Sequence, residues 1–380
     1  MKIISIVGAR PNFMKIAPFC HAISASPTSI EHLLVHTGQH YDDKMSEAFF
    51  TSLSIPAADI NLGVGSGTHA EQVGRTMIAI ERVLIEEQPD WVVVVGDVNA
   101  TAACSITAKK LGIRVAHIEA GLRSRDMSMP EEINRLVTDR ISDLLLTPDR
   151  LSSENLIREG VDPESIVFTG NIMIDTLESQ RDKAAKLDLN EIIDQNKLAE
   201  ENSTTALEDG GYAVITLHRP SNVDSPETLM PLVRFFLDEV ATDMPLVWPV
   251  HPRTKKNLQT FGLWDELVAH DNMLLVEPLG YHDLLRLNMG AKLMFTDSGG
   301  LQEECCVLGT PCLTLRWNTE RPITLRENGG ASVLVGNDIS KIRAEYHHTL
   351  SAQRTPLRPE LWDGHAAERM VEALIEANTR

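Results

Sequence analysis

The run Trp91-Val92-Val93-Val94-Val95, closed by Pro89-Asp90 before it and Gly96-Asp97 after it, limits the fold more than any other stretch. Five β-type residues without alternation predict a strand buried on both faces. Such strands belong to parallel sheets covered by helices on each side. The chain repeats the pattern. Strand-like runs at 3–7, from 33, at 113–118, 144–146 and 166–168 alternate with helix-length segments, and Pro11 suits the first turn of a helix. Residues 178–211 are charged, poor in aromatics and end in Gly210-Gly211, which reads as peripheral helices leading into a second domain. Strand signals then restart at 212–217, 246–250, 273–276, 292–295, 311–315 and 332–335. Residues 366–377 form an amphipathic helix pattern. At 380 residues the chain is long for one core, so the expectation is α/β with two parallel-sheet domains and a cleft between them.

In open sheets of this kind, ligands sit beyond the carboxyl ends of the strands. The residues just after each strand therefore carry the chemistry. In residues 292–309, KLMFTDSGGLQEECCVLG, an apolar run breaks at Thr296-Asp297-Ser298-Gly299-Gly300 and a helical pattern follows up to Gly309. A helix opening there points unpaired backbone N–H groups at an anion, and Gly299 and Gly300 let a phosphate approach beside Ser298. Glu304 lies four residues after Gly300, on the same face and one turn deeper. An ionised carboxylate there can accept from both hydroxyls of a ribose. Phosphate and ribose together describe a nucleotide. Taken alone, the stretch is equally a strand-turn-helix with an acidic surface.

The first strand is followed by Gly8-Ala9-Arg10-Pro11-Asn12-Phe13-Met14-Lys15, neither a dinucleotide glycine motif nor a P-loop. Arg10 and Lys15 can hold a diphosphate there or be solvated surface cations. Asp97 ends the 91–95 strand, Glu119 follows Ile118, and Glu131 lies in Met129-Pro130-Glu131-Glu132. Three carboxylates on one rim make proton donors and acceptors usable near neutral pH. Competing readings are salt bridges to Arg123, Arg125 or Arg135, helix N-terminal carboxylates, or a metal site. In the second half, two strand ends carry histidine, at His218-Arg219-Pro220 and His251-Pro252-Arg253. A histidinium beside a diphosphate stabilises leaving-group charge, and Arg321 adds another cation.

A net charge of −19 with no basic block argues against a nucleic-acid partner. No apolar run reaches membrane-spanning length and no signal peptide is recognisable. Cys20, Cys104, Cys305, Cys306 and Cys312 have no metal-ligand spacing and read as reduced thiols of a cytoplasmic protein.

The segments GARPNFMKIAP (8–18), HTGQHYDDKM (36–45), GSGTHAEQ (65–72), Gly96-Asp97, HIEAGLRS (117–124), MPEEINR (129–135), TGN (169–171), TLHRPSNVD (216–224), PVHPR (249–253), TDSGGLQEE (296–304) and NTERP (318–322) occur in this order. In that order they resemble the non-hydrolysing UDP-N-acetylglucosamine 2-epimerases over residues 1–340. The resemblance implies a GT-B-like fold of two Rossmann-like domains with the active site between them. They would comprise residues 1–175, joined by a returning C-terminal helix at 366–380, and residues 176–365. It implies interconversion of UDP-GlcNAc and UDP-ManNAc by elimination of UDP and re-addition, with no cofactor and no metal, in a homodimer. Carried over, Asp97, Glu119 and Glu131 are the acid/base carboxylates and His218 sits near the diphosphate. Arg10, Lys15, Ser298, Gly299, Gly300, Glu304 and Arg321 bind the UDP-sugar. Gln39-His40-Tyr41 departs from the Gln-His-Arg of members activated by a second UDP-GlcNAc, and Leu279 stands where members often carry Gln. Alternatives are the same chemistry on a UDP-diacetamido-uronic acid, a hydrolysing 2-epimerase releasing ManNAc and UDP, and a GT-B glycosyltransferase.

Overall fold

Runs without alternation become strands with no solvent face: all five residues of 91–95 are buried. Burying each valine there contributes roughly 1.5–3 kcal/mol, which outweighs the loss of any polar contact with water along the run. The computed structural model describes residues 1–8, 10–38, 57–198, 205–351 and 353–379, with backbone only at 10 and 11. Its strands are β1 Lys2–Val7, β2 Glu31–His36, β3 Ile60–Asn61, β4 Trp91–Val95, β5 Arg114–Ile118, β6 Leu144–Thr147 and β7 Ile166–Phe168, then β8 Ala213–Thr216, β9 Leu246–Pro249, β10 Met273–Val276, β11 Leu293–Thr296, β12 Cys312–Thr314 and β13 Ser332–Leu334.

Among the described residues these form a seven-stranded sheet, β3-β2-β1-β4-β5-β6-β7, and a six-stranded sheet, β10-β9-β8-β11-β12-β13. The strand pairings within both sheets are parallel, with Ile3 opposite Trp91 and Leu293 opposite Ala213. Both orders are doubly wound. The chain starts in mid-sheet, works outward to one edge, then returns and works to the other, which is the GT-B-like plan of two Rossmann-like sheets. The order reverses between β1 and β4 in the first sheet and between β8 and β11 in the second. Those two switch points are where such sheets bind ligands. β3, only two residues long, has no counterpart in the sequence reading, and Thr296 closes β11 rather than opening the turn.

The chain divides into two compact units, residues 1–179 with 359–380, and residues 180–358. The helix Ala366–Thr379 belongs to the first unit and packs on the helix Arg10–Ala25. It buries Ala367, Met370, Val371 and Leu374. Asp175 caps it, accepting from the Ala366 and Ala367 N–H groups at 3.0 and 2.7 Å. Burial pushes the Asp175 carboxyl up to about 6, against the pull of those two donors. In the second unit Phe235, Phe236, Trp248, Phe295 and Tyr346 form the aromatic centre of the core, with Phe236 and Phe295 centroids 5.2 Å apart. That core fixes the height at which β8 and β11 end.

Candidate active site

At the switch point of the first sheet, β1, β4 and β5 end side by side. Asn12, in the first turn of the helix Arg10–Ala25, donates to the Val95 carbonyl at 2.9 Å and so ties that helix to the end of β4. Lys15, one turn on, is 7% exposed and its ammonium is ion-paired with Glu119. Glu119 is 4% exposed and stands directly after β5 in the left-handed region, at φ +70°. A non-glycine residue there stores strain of about 1–3 kcal/mol, which the surrounding structure has to hold. Its second oxygen, Oε1, is buried without a hydrogen-bond partner among the described residues. A buried carboxylate oxygen left without a donor is costly unless something else fills its place.

Gly96 turns the chain between β4 and Asp97 at φ +66°. A Cβ on it would lie 3.2 Å from Lys15 Nζ and press on the pair, and the left-handed backbone there favours glycine in any case. Asp97 is ion-paired with Arg135, and Asn134 donates to the Asp97 carbonyl at 2.9 Å. Both partners come from the helix Pro130–Ile141. Glu131 opens that helix four residues before Arg135, hence on the same face. It is exposed and has no partner among the described residues. Its neighbour Glu132 points inward instead. It accepts from Ser124 N at 3.0 Å and Arg125 N at 2.8 Å and pairs with Arg135 at 2.6 Å. Burial pushes the Glu132 carboxyl up, but the Ser124 N–H and Arg135 outweigh it and hold it below the usual range. Lys15 and Glu119 therefore meet beside the Gly96 turn, Asp97 follows in that turn on Arg135, and Glu131 stands on the Arg135 helix. Arg10 begins its helix beside them, and its side chain lies outside the described residues. So does the 39–41 segment.

At the switch point of the second sheet, β11 ends at Thr296 and the helix Gly299–Leu308 begins. Ser298 is its N-cap and makes no side-chain capping bond, so the first-turn N–H groups stay open to a ligand. A Cβ on Gly299 would stand 2.7 Å from Glu320 Oε1 and 2.8 Å from Arg321 Nη1. Gly300 follows in the same first turn. Arg321 is thus brought beside the helix start, yet its guanidinium is already shared. Nε lies 2.7 Å from Glu303 Oε1, and Nη1 is ion-paired with Glu320. Arg316 closes the series on Glu320 at 2.7 Å.

Asp297 is the residue that sequence reasoning left without a role. It is fully buried and holds the β8 end from below. It accepts from His218 N and Arg219 N at 3.0 and 2.9 Å and from Asn222 Nδ2 at 3.1 Å, and His218 Nδ1 lies 2.8 Å from its Oδ1. Burial pushes its carboxyl up, and His218 with the other donors wins, leaving it below the usual range. The His218 ring is thereby oriented with its other nitrogen outward. It lies 5.8 Å from the His251 ring, and 45% of its side chain is exposed. The signal was present in TDSGG: an acid placed at a strand end, beside glycines, has backbone donors to hold. Glu304 is 3% exposed, and burial with the charge of Glu303 pushes it up to about 7, against the Tyr281 hydroxyl and the Asn288 amide.

A family model described as UDP-N-acetylglucosamine 2-epimerase matches residues 21–375. A UDP-N-acetylglucosamine 2-epimerase of Methanocaldococcus jannaschii is 41% identical over 98% of this chain and 99% of its own. A UDP-2,3-diacetamido-2,3-dideoxy-D-glucuronate 2-epimerase of Pseudomonas aeruginosa is 37% identical over 99% of this chain and 100% of its own. The crystal structure of the Methanocaldococcus jannaschii UDP-GlcNAc 2-epimerase with UDP-GlcNAc and UDP superposes with a TM-score of 0.87 at 40% identity, covering 99% of this chain and 100% of that one.

Proposed function

The chain belongs to the UDP-N-acetylglucosamine 2-epimerase family, and from that premise we propose that it interconverts UDP-GlcNAc and UDP-ManNAc without releasing the free sugar. The observation that carries the proposal is Glu119: buried, strained, paired with Lys15 and left with one oxygen unpartnered at a sheet switch point. A carboxylate takes the proton from C2, the C2–H electrons form a C1–C2 double bond, and the C1–O bond breaks with its electrons leaving on UDP. UDP then re-adds at C1, and a carboxylic acid returns a proton to the opposite face of C2. The electrons balance within the substrate, so no oxidant enters.

In this reading Asp97, Glu119 and Glu131 share the proton transfers. Their arrangement supports it: two are held by cations and one is free to move. His218 and the open helix N-terminus at Ser298, Gly299 and Gly300 take the diphosphate charge, with Arg10, Lys15 and Arg321 as further UDP contacts. Glu304 takes the ribose hydroxyls. The carboxylates Asp97, Glu119 and Glu131 are chemistry for C2, and an open helix start with a histidine is chemistry for a leaving diphosphate.

The 37% identity to the diacetamido-glucuronate enzyme supports a second reading, the same reaction on a sugar modified at C3 and C6. Proton NMR in deuterated water decides. UDP-ManNAc with deuterium at C2, formed from UDP-GlcNAc, establishes the first reading. Turnover of UDP-2,3-diacetamido-2,3-dideoxy-D-glucuronate alone establishes the second. Free ManNAc with UDP overturns re-addition. Ile78 and Ile85, 61% and 58% exposed and seven residues apart on one helix face, support a homodimer. Light scattering during gel filtration should give the mass of two chains, and the Ile78→Arg, Ile85→Arg variant that of one. All five cysteines are free and buried, which supports a cytoplasmic location, and no helix of the described residues is long and apolar enough to cross a membrane.

A further inference from the structure

Behind the Gly96-Asp97 turn runs a series of polar and charged groups, largely buried, that the chemistry above leaves unused. His117 lies in β5, two residues before Glu119, and has no solvent exposure. Its Nδ1 is 2.6 Å from Asp139 Oδ1 and its Nε2 is 2.8 Å from the Gly96 carbonyl oxygen. Asp139 Oδ2 accepts from Arg123 Nη1 at 2.6 Å and from Gly121 N at 3.0 Å. Arg123 also donates to Glu159, through Nε at 2.9 Å and Nη2 at 2.6 Å.

The partners dictate the hydrogens on the ring. A carbonyl oxygen is only an acceptor, so Nε2 must donate. Asp139 is ionised: burial pushes its carboxyl up, but His117 and Arg123 outweigh burial and leave it below the usual range. The ring's other nitrogen, Nδ1, faces that carboxylate, so the ring is held at both nitrogens with no solvent exposure. The Gly96 N–H is tied too, donating to the Ile118 carbonyl at 3.1 Å. The turn is thus clamped to β5 at both its polar groups, directly beside Lys15, Asp97 and Glu119.

We propose that His117 is a positioning residue of the epimerisation: a buried ring, braced by Asp139 and Arg123, that pins the Gly96 carbonyl and so fixes Asp97 and Glu119 in reacting geometry. The inference rests on the epimerase reading. It assigns a duty to the first residue of the HIEAGLR segment, which neither touches substrate nor transfers a proton. A purely structural network would, on mutation, lower stability and leave a folded enzyme as fast as before. A positioning residue, on mutation, slows turnover in a protein that still folds and still binds UDP.

The test uses the full chain with His117→Gln, which keeps an N–H for Gly96 but loses the ring's link to Asp139, and Asp139→Asn, which weakens the brace. Wild-type turnover is measured first, and its absence counts against the epimerase reading alone. In variants with unchanged circular dichroism, kcat should fall about a hundredfold, the cost of a small misplacement of reacting groups. KM and the Kd for UDP should stay within about threefold, because ground-state binding is untouched. A folded variant with kcat within about threefold of wild type, or a loss confined to KM, overturns the proposal. Should neither variant fold, nitrogen-15 NMR of histidine-labelled wild type decides. The His117 ring, assigned by its Overhauser contacts to Gly96, should carry its proton on Nε2, hydrogen-bonded to the Gly96 carbonyl. A bare Nε2 overturns the proposal.

Discussion

The two sheets share one winding order and end in opposite chemistry. At the switch point of the first, side chains do the work. Lys15, Glu119, Asp97 and Arg135 are ion-paired there, three of the four buried, and the strain of a left-handed glutamate is held by its neighbours. At the switch point of the second, backbone does it: an uncapped helix start at Gly299, backed by Asp297, which accepts two further N–H groups. Arg321 stands beside that start but is neutralised by Glu303 and Glu320. The difference is one of reversibility. Side-chain acids can gain and lose protons, as the proposed proton transfer at carbon requires, whereas backbone N–H groups cannot and so suit an anion without changing state. Topology sets where each site is, and the residues after the strands set what it does.

The division breaks most sharply at Glu119. Glu119→Gln keeps the shape and removes the base, so turnover should fall about a thousandfold, within the usual range for lost proton transfer, while UDP titration calorimetry changes little. A variant retaining a tenth of the activity would dissolve the contrast. The converse change is Gly299→Val, whose Cβ meets Glu320 and Arg321 at 2.7 and 2.8 Å. Losing charged hydrogen bonds worth about 3 kcal/mol should weaken UDP binding roughly a hundredfold, with kcat at saturation nearly kept. A Kd within twofold of wild type would place the nucleotide elsewhere.

The smallest effect sharpens the contrast, because Glu304 is a titrating group inside the backbone-built site. Burial pushes it up to about 7. If Glu304 holds the ribose as proposed, it does so in the ionised form as a double acceptor, so UDP affinity should rise about tenfold from about pH 6 to about pH 8, and Glu304→Gln should flatten that slope. Stability has the opposite sign. Between the ordinary glutamate range and about 7 the folded chain keeps a proton that the unfolded chain has lost. The Glu304 contribution therefore falls as pH rises through that window, and the Glu304→Gln melting temperature should lack that fall.

Strands buried on both faces were legible because uniform apolar runs leave no other solution, and the 91–95 and 273–276 runs kept their limits. The two-residue β3 was not, since a strand that short has no period to read. Site residues were legible as types at strand ends, through the ordered segments they share with a known family. Their partners were not. That Lys15 reaches Glu119 is a contact 104 residues apart, made where the helix after β1 reaches past the end of β4 to the residue after β5, and no local pattern encodes it. The Glu131-Glu132 pair shows the limit in one dipeptide. Both read alike in sequence, and only the helix rotation sends one outward and the other onto Ser124 and Arg135.

The helix Ala366–Thr379 is capped by Asp175 and lies on the helix Arg10–Ala25. The second unit is one continuous stretch of chain, whereas the first is assembled from both sides of it. On the ribosome, residues 180–358 can therefore finish folding while the unit synthesised before them still lacks its final helix. The first unit waits with the apolar surface under Met370, Val371 and Leu374 uncovered, open to wrong partners until the helix Ala366–Thr379 has been made.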